Sequence, residues 1–309
     1  MPKTLLRATR LAGAILALTL VAACAELGSS HEEDGGRPVV LTTFTVTADM
    51  ARNVGGEHIV VESIINPGVE VHGYEPTPKD IAKASRADLI FDNGLSLEAW
   101  FEKFVAQSDA PHTVLTSGIE PIAIAGRFGE SKPNPHAWMS PLNAQTYVDN
   151  IAAALTDLMP EHQQDFESQA ATYKSQIQAV YDQLLADLAS IPAEQRALVT
   201  CEGAFSYLAR DANLTEKYIW PVNAEQQATP QQVTSVIEFV HRSKVDAVFC
   251  ESTVSDKTMQ QIVAETGTHF GGVLYVDSLS SSDGPVPTYL DLLRHDADII
   301  VAGLTAKTR

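Results

Sequence analysis

The chain has 309 residues, 45% of which are hydrophobic, and a formal net charge of −18. A negative charge of this size argues against nucleic acid or anionic lipid headgroups as partners, because proteins bind both through clusters of Lys and Arg. The length exceeds that of a usual single domain, so two hydrophobic cores are expected.

The first 23 residues have the organisation of a secretory signal peptide. Lys3, Arg7 and Arg10 precede an apolar run, Leu11 to Ala23, that contains no acidic residue. This run has about 13 residues, whereas a membrane-spanning helix needs roughly 20, so a permanent transmembrane anchor is the weaker interpretation. Removing the peptide leaves 18 basic against 39 acidic residues, a formal charge of −21.

The apolar run ends in Leu20-Val21-Ala22-Ala23-Cys24, which resembles the bacterial lipobox. The cysteine of a lipobox is diacylated and becomes the first residue after cleavage, which predicts lipidation at Cys24. The alternative is an ordinary cleavage after small residues with a cysteine nearby. Residues 24–38 are polar and without periodicity, as in a tether. We therefore expect an extracytoplasmic protein held by acyl chains at the periplasmic face of a membrane.

Short β-rich runs alternate with helical patterns from residue 39 onward. The first predicted strands are Val39–Phe44, Ile59–Ile65 and Ala87–Phe91. A helix is predicted to start at Thr77, because Pro78 suits its first turn and Asp80 can complete a capping box. This alternation indicates βαβ units and a mostly parallel sheet.

A long polar segment lies between Pro160 and Pro192, and its apolar residues recur every three or four positions. These positions are Phe166, Ala170, Tyr173, Ile177, Val180, Leu184 and Leu188. The pattern predicts one helix of about 28 residues, roughly 40 Å long. Two shorter helices broken near Ser175 are the alternative.

A second helix-and-strand unit follows, with a helix that begins at Thr229 and a strand at Val245–Phe249. Its similarity to the first unit predicts an α/β fold of two lobes with parallel sheets. The predicted organisation is a signal peptide at 1–23, a tether at 24–38, an N-terminal α/β lobe at 39–160, a linking helix at 161–191 and a C-terminal α/β lobe at 192–309.

Four residues carry the chemistry of a candidate metal site. His72 and His136 lie in loops restricted by neighbouring Pro and Gly residues. Glu202 and Asp277 follow predicted strands, where open α/β sheets bind their ligands. Imidazole nitrogens and carboxylate oxygens suit Mn²⁺, Fe²⁺ or Zn²⁺, and two carboxylates match the charge of a divalent ion. Spacing alone does not single out these four.

The other seven histidines stand in tether, loop or helix segments without a matching carboxylate. We expect them to be solvated residues or core residues. They are His31, His58, His112, His162, His241, His269 and His295.

The stretches around the candidate ligands resemble the metal-binding lipoproteins of ABC importers, which form cluster A-I, or family 9, of the solute-binding proteins. The resembling stretches are His72–Pro78, Asn134–Trp138, Cys201–Phe205, Asn223–Gln227 and Val276–Ser278. The resemblance implies two α/β lobes joined by one long helix, with the ion bound between the lobes. It assigns the ligand positions to His72, His136, Glu202 and Asp277. It also implies a monomeric receptor that delivers its ion to the permease and ATPase of an ABC importer.

Zinc-type members of that family differ from this chain at two points. They have a histidine at the third ligand position, where this chain has Glu202, and many carry a His-rich loop before the second ligand. Residues 120–135 contain no histidine. Trp220-Pro221, Glu251-Ser252-Thr253 and Gly284–Leu290 are similar to cyanobacterial-type manganese receptors. We expect Mn²⁺ as the transported ion, with Zn²⁺ or Fe²⁺ as alternatives.

Two cysteines remain after Cys24, in a compartment where disulfides persist. Their number predicts a bridge between Cys201 and Cys250, which adjoin Glu202 and Glu251. Closing a loop of about 50 residues contributes roughly 4 kcal/mol in the chain-entropy model. The alternative is two buried free thiols.

Two other functions compete with the receptor interpretation. The same four residues could hold the ion of a metallohydrolase, with Glu251 or Glu225 as the general base. The sequence has no Ser/His/Asp nucleophile motif, no phosphate-binding glycine loop and no H-E-x-x-H pattern, which argues against an enzyme. An adhesin or structural lipoprotein, whose metal only stabilises the fold, is the third interpretation.

Overall fold

The computed structural model describes residues 36–101, 105, 108, 110–125, 131–222 and 228–306. The predicted signal peptide, Cys24, most of the tether and the stretch 223–227 with Glu225 lie outside the described residues. Within the described part of the chain, no helix combines the length and the apolar character that a membrane span requires.

A four-stranded parallel sheet underlies the N-terminal half. Its strands are β1 (Val39–Thr42), β2 (Val60–Ser63), β3 (Leu89–Asp92) and β4 (His112–Val114), in the order β2-β1-β3-β4. Val40 of β1 is in register with Val61 on one side and Leu89 on the other. All four residues of β1 are buried, which explains its continuous apolar character.

Three helices of this half lie wholly within the described residues: α1 (Thr45–Gly55), α2 (Pro78–Ala84) and α3 (Pro141–Leu158). Helix α2 begins as predicted, since the backbone N–H of Thr77 donates to Asp80 Oδ2 at 2.8 Å. Strands β5 (Ala123–Ala125) and β6 (Ser131–Pro133) form an antiparallel pair.

The predicted long helix is confirmed. Helix α4 (Gln163–Ala189) runs without a break over 27 residues, so the alternative break at Ser175 is wrong. The seven apolar positions of its predicted face are all buried. It packs against α1, α3 and the last helix, α8 (Tyr289–Thr305), and therefore contacts both halves of the chain.

Two parallel pairs of strands form the C-terminal half. Strands β7 (Ala197–Glu202) and β8 (Thr215–Trp220) make one pair, and β9 (Ala247–Glu251) and β10 (His269–Leu274) make the other. The helices here are α5 (Ser206–Ala212), α6 (Pro230–Ser243), α7 (Lys257–Thr266) and α8. Strand β7 lies beside β9, and Cys201 and Cys250 form the predicted disulfide across them, with Cα atoms 4.9 Å apart.

Alternate residues of β7 and β9 face two different cores. Leu198 and Phe249 belong to the larger core, which continues through α3, α4 and the first sheet. Val199 and Val248 belong to a smaller core with Cys201 and Cys250. This alternation follows from the two-residue period of a strand. The predicted α/β class with parallel sheets and a long helix is confirmed.

Truncating the buried face of α4 should destabilise the fold. Ile177 is fully buried, so Ile177→Ala is expected to lower the free energy of unfolding by about 2–5 kcal/mol. The exposed neighbour Gln176 provides the control: Gln176→Ala should change the free energy of unfolding by less than about 0.5 kcal/mol. Urea unfolding of the two metal-free variants measures both values. Similar losses in both would contradict the packing described for α4.

Candidate metal centre

The four candidate ligands come together near the carboxyl ends of strands. His72 lies in the loop between β2 and α2, and His136 precedes the 3₁₀ turn Ala137–Met139. Glu202 is the last residue of β7, and Asp277 follows β10 by three residues. One ligand atom of each lies within 4.8 Å of the others, and we call these four residues the inner cluster.

Distances within the inner cluster have the scale of a site for one ion. The Nε2 atoms of His72 and His136 are 3.0 Å apart. Glu202 Oε1 lies 3.5 Å and 3.8 Å from these two nitrogens, and Asp277 Oδ1 lies 3.6 Å from His136 Nε2. Ligands at about 2.1 Å from one ion are separated by roughly 3.0–3.4 Å. Small movements would thus suffice to coordinate an ion.

Solvent is excluded from the inner cluster. The side chains of His136 and Glu202 are fully buried, and that of His72 is 5% exposed. Trp138 is also fully buried, and its ring lies 5.2 Å from the ring of His136. In this setting, electrostatic interactions with an ion are stronger than in water.

Asn134 fixes the tautomer of His136. Asn134 Oδ1 accepts a hydrogen bond from the backbone N–H of His136 at 3.1 Å and lies 2.9 Å from its Nδ1. Asn134 Nδ2 donates to the carbonyl of Gly203 and to Ser206 Oγ. Because Oδ1 is the acceptor, Nδ1 of His136 carries the proton, and Nε2 keeps its lone pair for an ion.

This role of Asn134 was not predicted from the sequence. The available signal was its position two residues before a candidate ligand, a spacing at which Asn side chains commonly bond to the backbone.

Gly203 allows the end of β7 to approach its neighbours closely. Its N–H donates to the carbonyls of Trp220 and Pro221, each at 3.0 Å. A Cβ at this position would lie 2.7 Å from the Pro221 carbonyl oxygen, closer than real Cβ atoms come. Since the carbonyl of Gly203 also accepts from Asn134, this glycine connects Glu202 to the group that orients His136.

Burial keeps both imidazoles neutral. It lowers the pKa of His72 to about 4, although the nearby Asp277 opposes the shift, and it lowers the pKa of His136 to about 3. Burial raises the pKa of Asp277, against the opposing effects of His72 and Thr253. Within the described part of the chain, neither oxygen of Asp277 accepts a well-formed hydrogen bond. A buried carboxylate in this state is unfavourable until a cation or a proton neutralises it.

Glu251 supports the inner cluster from behind. Both of its carboxyl oxygens lie 3.2 Å from the backbone nitrogen of Glu202, which donates to them. Burial, with a smaller contribution from Asp277, raises the pKa of Glu251 to about 8. Since Glu251 is mostly protonated at pH 7, the charge that can balance a divalent cation comes from Glu202 and Asp277, which carry a formal charge of −2 when both are deprotonated.

The structure corrects the expectation for three of the other histidines. His112 Nδ1 lies 3.2 Å from Asp92 Oδ1. His58 Nε2 lies 3.1 Å from Asp165 Oδ2, and His162 Nδ1 lies 3.6 Å from the same oxygen. The expectation that these histidines lack carboxylate partners was wrong. The partners of His58 and His112 are remote in sequence, and the i,i+3 spacing of His162 and Asp165 was overlooked.

Comparison with known proteins gives matches over nearly the whole chain. The model of a family described as "Zinc-uptake complex component A periplasmic" matches residues 40–303. The iron-binding protein YfeA of Yersinia pestis is 48% identical over 291 residues, which cover 94% of both chains. A manganese ABC transporter substrate-binding lipoprotein of Streptococcus gordonii is 31% identical over 298 residues, which cover 94% of this chain and 96% of the relative.

A solved structure shares the fold. The Mn-bound periplasmic metal-binding protein of Candidatus Liberibacter asiaticus is 38% identical and superposes with a TM-score of 0.82. The match covers 87% of this chain and 100% of that protein.

The lowered histidine pKa values predict how pH affects the stability of the metal-free protein. Between about pH 6.5 and pH 4, the unfolded chain binds protons on these imidazoles and the folded chain does not. The contribution of the histidines to the free energy of unfolding therefore decreases as the pH falls through this range. His136→Gln removes one such imidazole. As the pH falls, the free energy of unfolding of this variant should therefore decrease less steeply than that of the parent, by up to about 1.4 kcal/mol per pH unit. Urea unfolding at pH 6.5, 5.5 and 4.5 tests this, and equal slopes would contradict it.

Proposed function

The chain belongs to the family of periplasmic zinc-uptake component A proteins, and on this premise we propose that the inner cluster binds the ion that the protein transports. The protein is the substrate-binding component of an ABC importer for a divalent metal, and it is a transport protein rather than an enzyme. The observation that supports the assignment of the site is the closed inner cluster of two neutral imidazoles and two carboxylates.

Mn²⁺ is the ion we propose as the substrate. The family description names zinc, and the relatives reported above are named for iron and manganese, so family membership does not decide the ion. Glu202 supports manganese, because it supplies oxygen ligands where zinc-type members have an imidazole. Zn²⁺ binds a given site more tightly than Mn²⁺, so a preference for manganese must come from geometry or supply. Zn²⁺ and Fe²⁺ remain the alternatives.

The burial of the inner cluster supports binding over catalysis. A catalytic metal keeps one coordination position open for water or substrate. Here the four side chains enclose the site, and His72, at 5% exposure, is the most exposed of them. Glu251, a candidate general base, instead accepts from the backbone of Glu202.

Attachment and delivery are proposals that rest on the sequence. We propose that Cys24, which lies outside the described residues, carries the lipid anchor; the streptococcal relative is named a lipoprotein. The lobe boundaries at 160 and 192, the monomeric state and docking on a permease with its ATPase stay predictions. So does the similarity to cyanobacterial-type manganese receptors.

Removing Asp277 should abolish tight binding. Asp277→Ala deletes one of the two anionic ligands, and we expect the affinity for Mn²⁺ to fall by about 100-fold or more, roughly 3 kcal/mol. The exposed Asp283 provides the control, and Asp283→Ala should bind as the parent does. Calorimetric titration with Mn²⁺ measures both affinities. If Asp277→Ala binds Mn²⁺ as tightly as the parent, the ligand assignment is wrong.

Changing Glu202 to histidine should shift the preference toward zinc. Glu202→His replaces oxygen donors by an imidazole nitrogen and reduces the charge of the inner cluster from −2 to −1. We expect the ratio of Zn²⁺ affinity to Mn²⁺ affinity to rise about tenfold or more, because imidazole favours zinc. Glu251→Gln, which keeps an uncharged group behind the cluster, is the matched control. Competition titrations give the ratios, and an unchanged ratio would exclude Glu202 as the residue that sets metal preference.

A further inference from the structure

A second group of metal-binding side chains lies where the end of α1 meets the start of α4. His58 ends the 3₁₀ turn Gly56–His58, and His162 ends the turn Pro160–His162. Asp165 stands in the first turn of α4. One ligand atom of each lies within 4.8 Å of the others. We call these three residues the outer cluster; none of them belongs to the inner cluster.

Both imidazoles of the outer cluster point a nitrogen toward the same carboxylate oxygen. Asp165 Oδ2 lies 3.1 Å from His58 Nε2 and 3.6 Å from His162 Nδ1. These separations are close to the roughly 3.0–3.4 Å expected between adjacent ligands of one ion. The two rings are stacked, with centroids 3.9 Å apart and 29° between their planes.

The rest of the fold holds the outer cluster in place. Both rings pack against Phe166, which is fully buried, at centroid distances of 5.7 Å for His58 and 6.2 Å for His162. The turn that carries His58 also lies beside α4, because the side chain of Gln169 reaches to within 2.5 Å of the position that a Cβ on Gly56 would take. Ligands that the surrounding structure already orients lose little conformational freedom when an ion binds.

We propose that the outer cluster is a second, solvent-accessible binding site for a divalent transition metal, with Zn²⁺ as its representative ligand. Two imidazoles and one carboxylate suit Zn²⁺, Ni²⁺, Co²⁺ or Cu²⁺, and water would complete the coordination. The side chains are 28%, 35% and 56% exposed for His58, His162 and Asp165, so ions can reach them from solvent. An ion pair this exposed contributes little to stability by itself.

The outer cluster should bind more weakly than the inner cluster and with a different preference. It offers three ligands rather than four, and one negative charge rather than two. It also stands at the N-terminal end of α4, where the helix dipole disfavours a cation. With mainly nitrogen donors, it should favour Zn²⁺ over Mn²⁺. The protein would then hold a competing ion on its surface, away from the transport site.

The test counts the Zn²⁺ bound when the inner cluster is disabled. In the His136→Ala/Asp277→Ala protein, equilibrium dialysis should show one Zn²⁺ per chain. Adding His58→Ala and His162→Ala should weaken this binding at least tenfold. Adding His241→Ala and His269→Ala instead removes the same number of imidazoles elsewhere and should leave it unchanged.

A second comparison uses the protein with its inner cluster intact. Here His58→Ala/His162→Ala should bind one Zn²⁺ fewer than His241→Ala/His269→Ala, and Zn²⁺ should raise its melting temperature less, since bound ions stabilise the folded state. Equal Zn²⁺ stoichiometry in these two variants would overturn the proposal. This comparison does not depend on the assignment of the inner cluster, whose failure would appear as tight Mn²⁺ binding by the Asp277→Ala protein.

Discussion

The structure depends on the burial of two carboxylates and two imidazoles within 4.8 Å of one another. Burying an unpaired ionised group costs several kcal/mol, and the neutral imidazoles cannot offset the charge of the carboxylates. The surrounding contacts hold the groups together despite this repulsion. Asn134 orients His136, and Trp138 donates from Nε1 to the carbonyl of Val276, the residue before Asp277, at 3.1 Å. A divalent cation attracts both carboxylates and removes the unfavourable energy of holding them together. The unfavourable electrostatics of the metal-free site therefore favour binding of the ion.

The helices around the inner cluster are held rigidly, because α1, α4 and α8 meet at one buried carboxylate, that of Asp49. Asp49 of α1 accepts from the backbone N–H of Tyr289 at 2.9 Å and from the hydroxyl of Tyr173 at 3.4 Å. These two bonds join α1 to the start of α8 and to the middle of α4. Helix α4 buries eight side chains along its length, and a helix so anchored resists bending between the two halves. Release of the ion is therefore expected to involve local movement of the ligand loops more than a wide hinge opening.

The parts that the sequence predicts are those whose signals are local. The apolar run of β1 and the three-and-four spacing along α4 can be read within a few residues, and both elements appear where they were expected. Composition and spacing offered the inner cluster as one set among many, and the family resemblance selected it. The contacts that support the inner cluster join residues that are distant in sequence and cannot be predicted from local patterns. The hydrogen bond from the backbone of Glu202 to Glu251, for example, spans 49 positions. The outer cluster was missed for the same reason, because His58 meets Asp165 only after α1 has folded against α4.

The bond between Asp49 and Tyr289 also bears on how the protein is made. It spans 240 positions, so a growing polypeptide cannot form it until Tyr289 has been synthesised. Among the groups around Asp49 in the folded protein, the backbone N–H of Tyr289 is the one that most favours its ionised form. The contact between α1 and the start of α8 is therefore among the last that the chain can make, and an exported chain would make it on the far side of the membrane. The disulfide between Cys201 and Cys250 forms in an oxidising compartment, so the bridge is completed outside the cytoplasm, where the protein collects its ion.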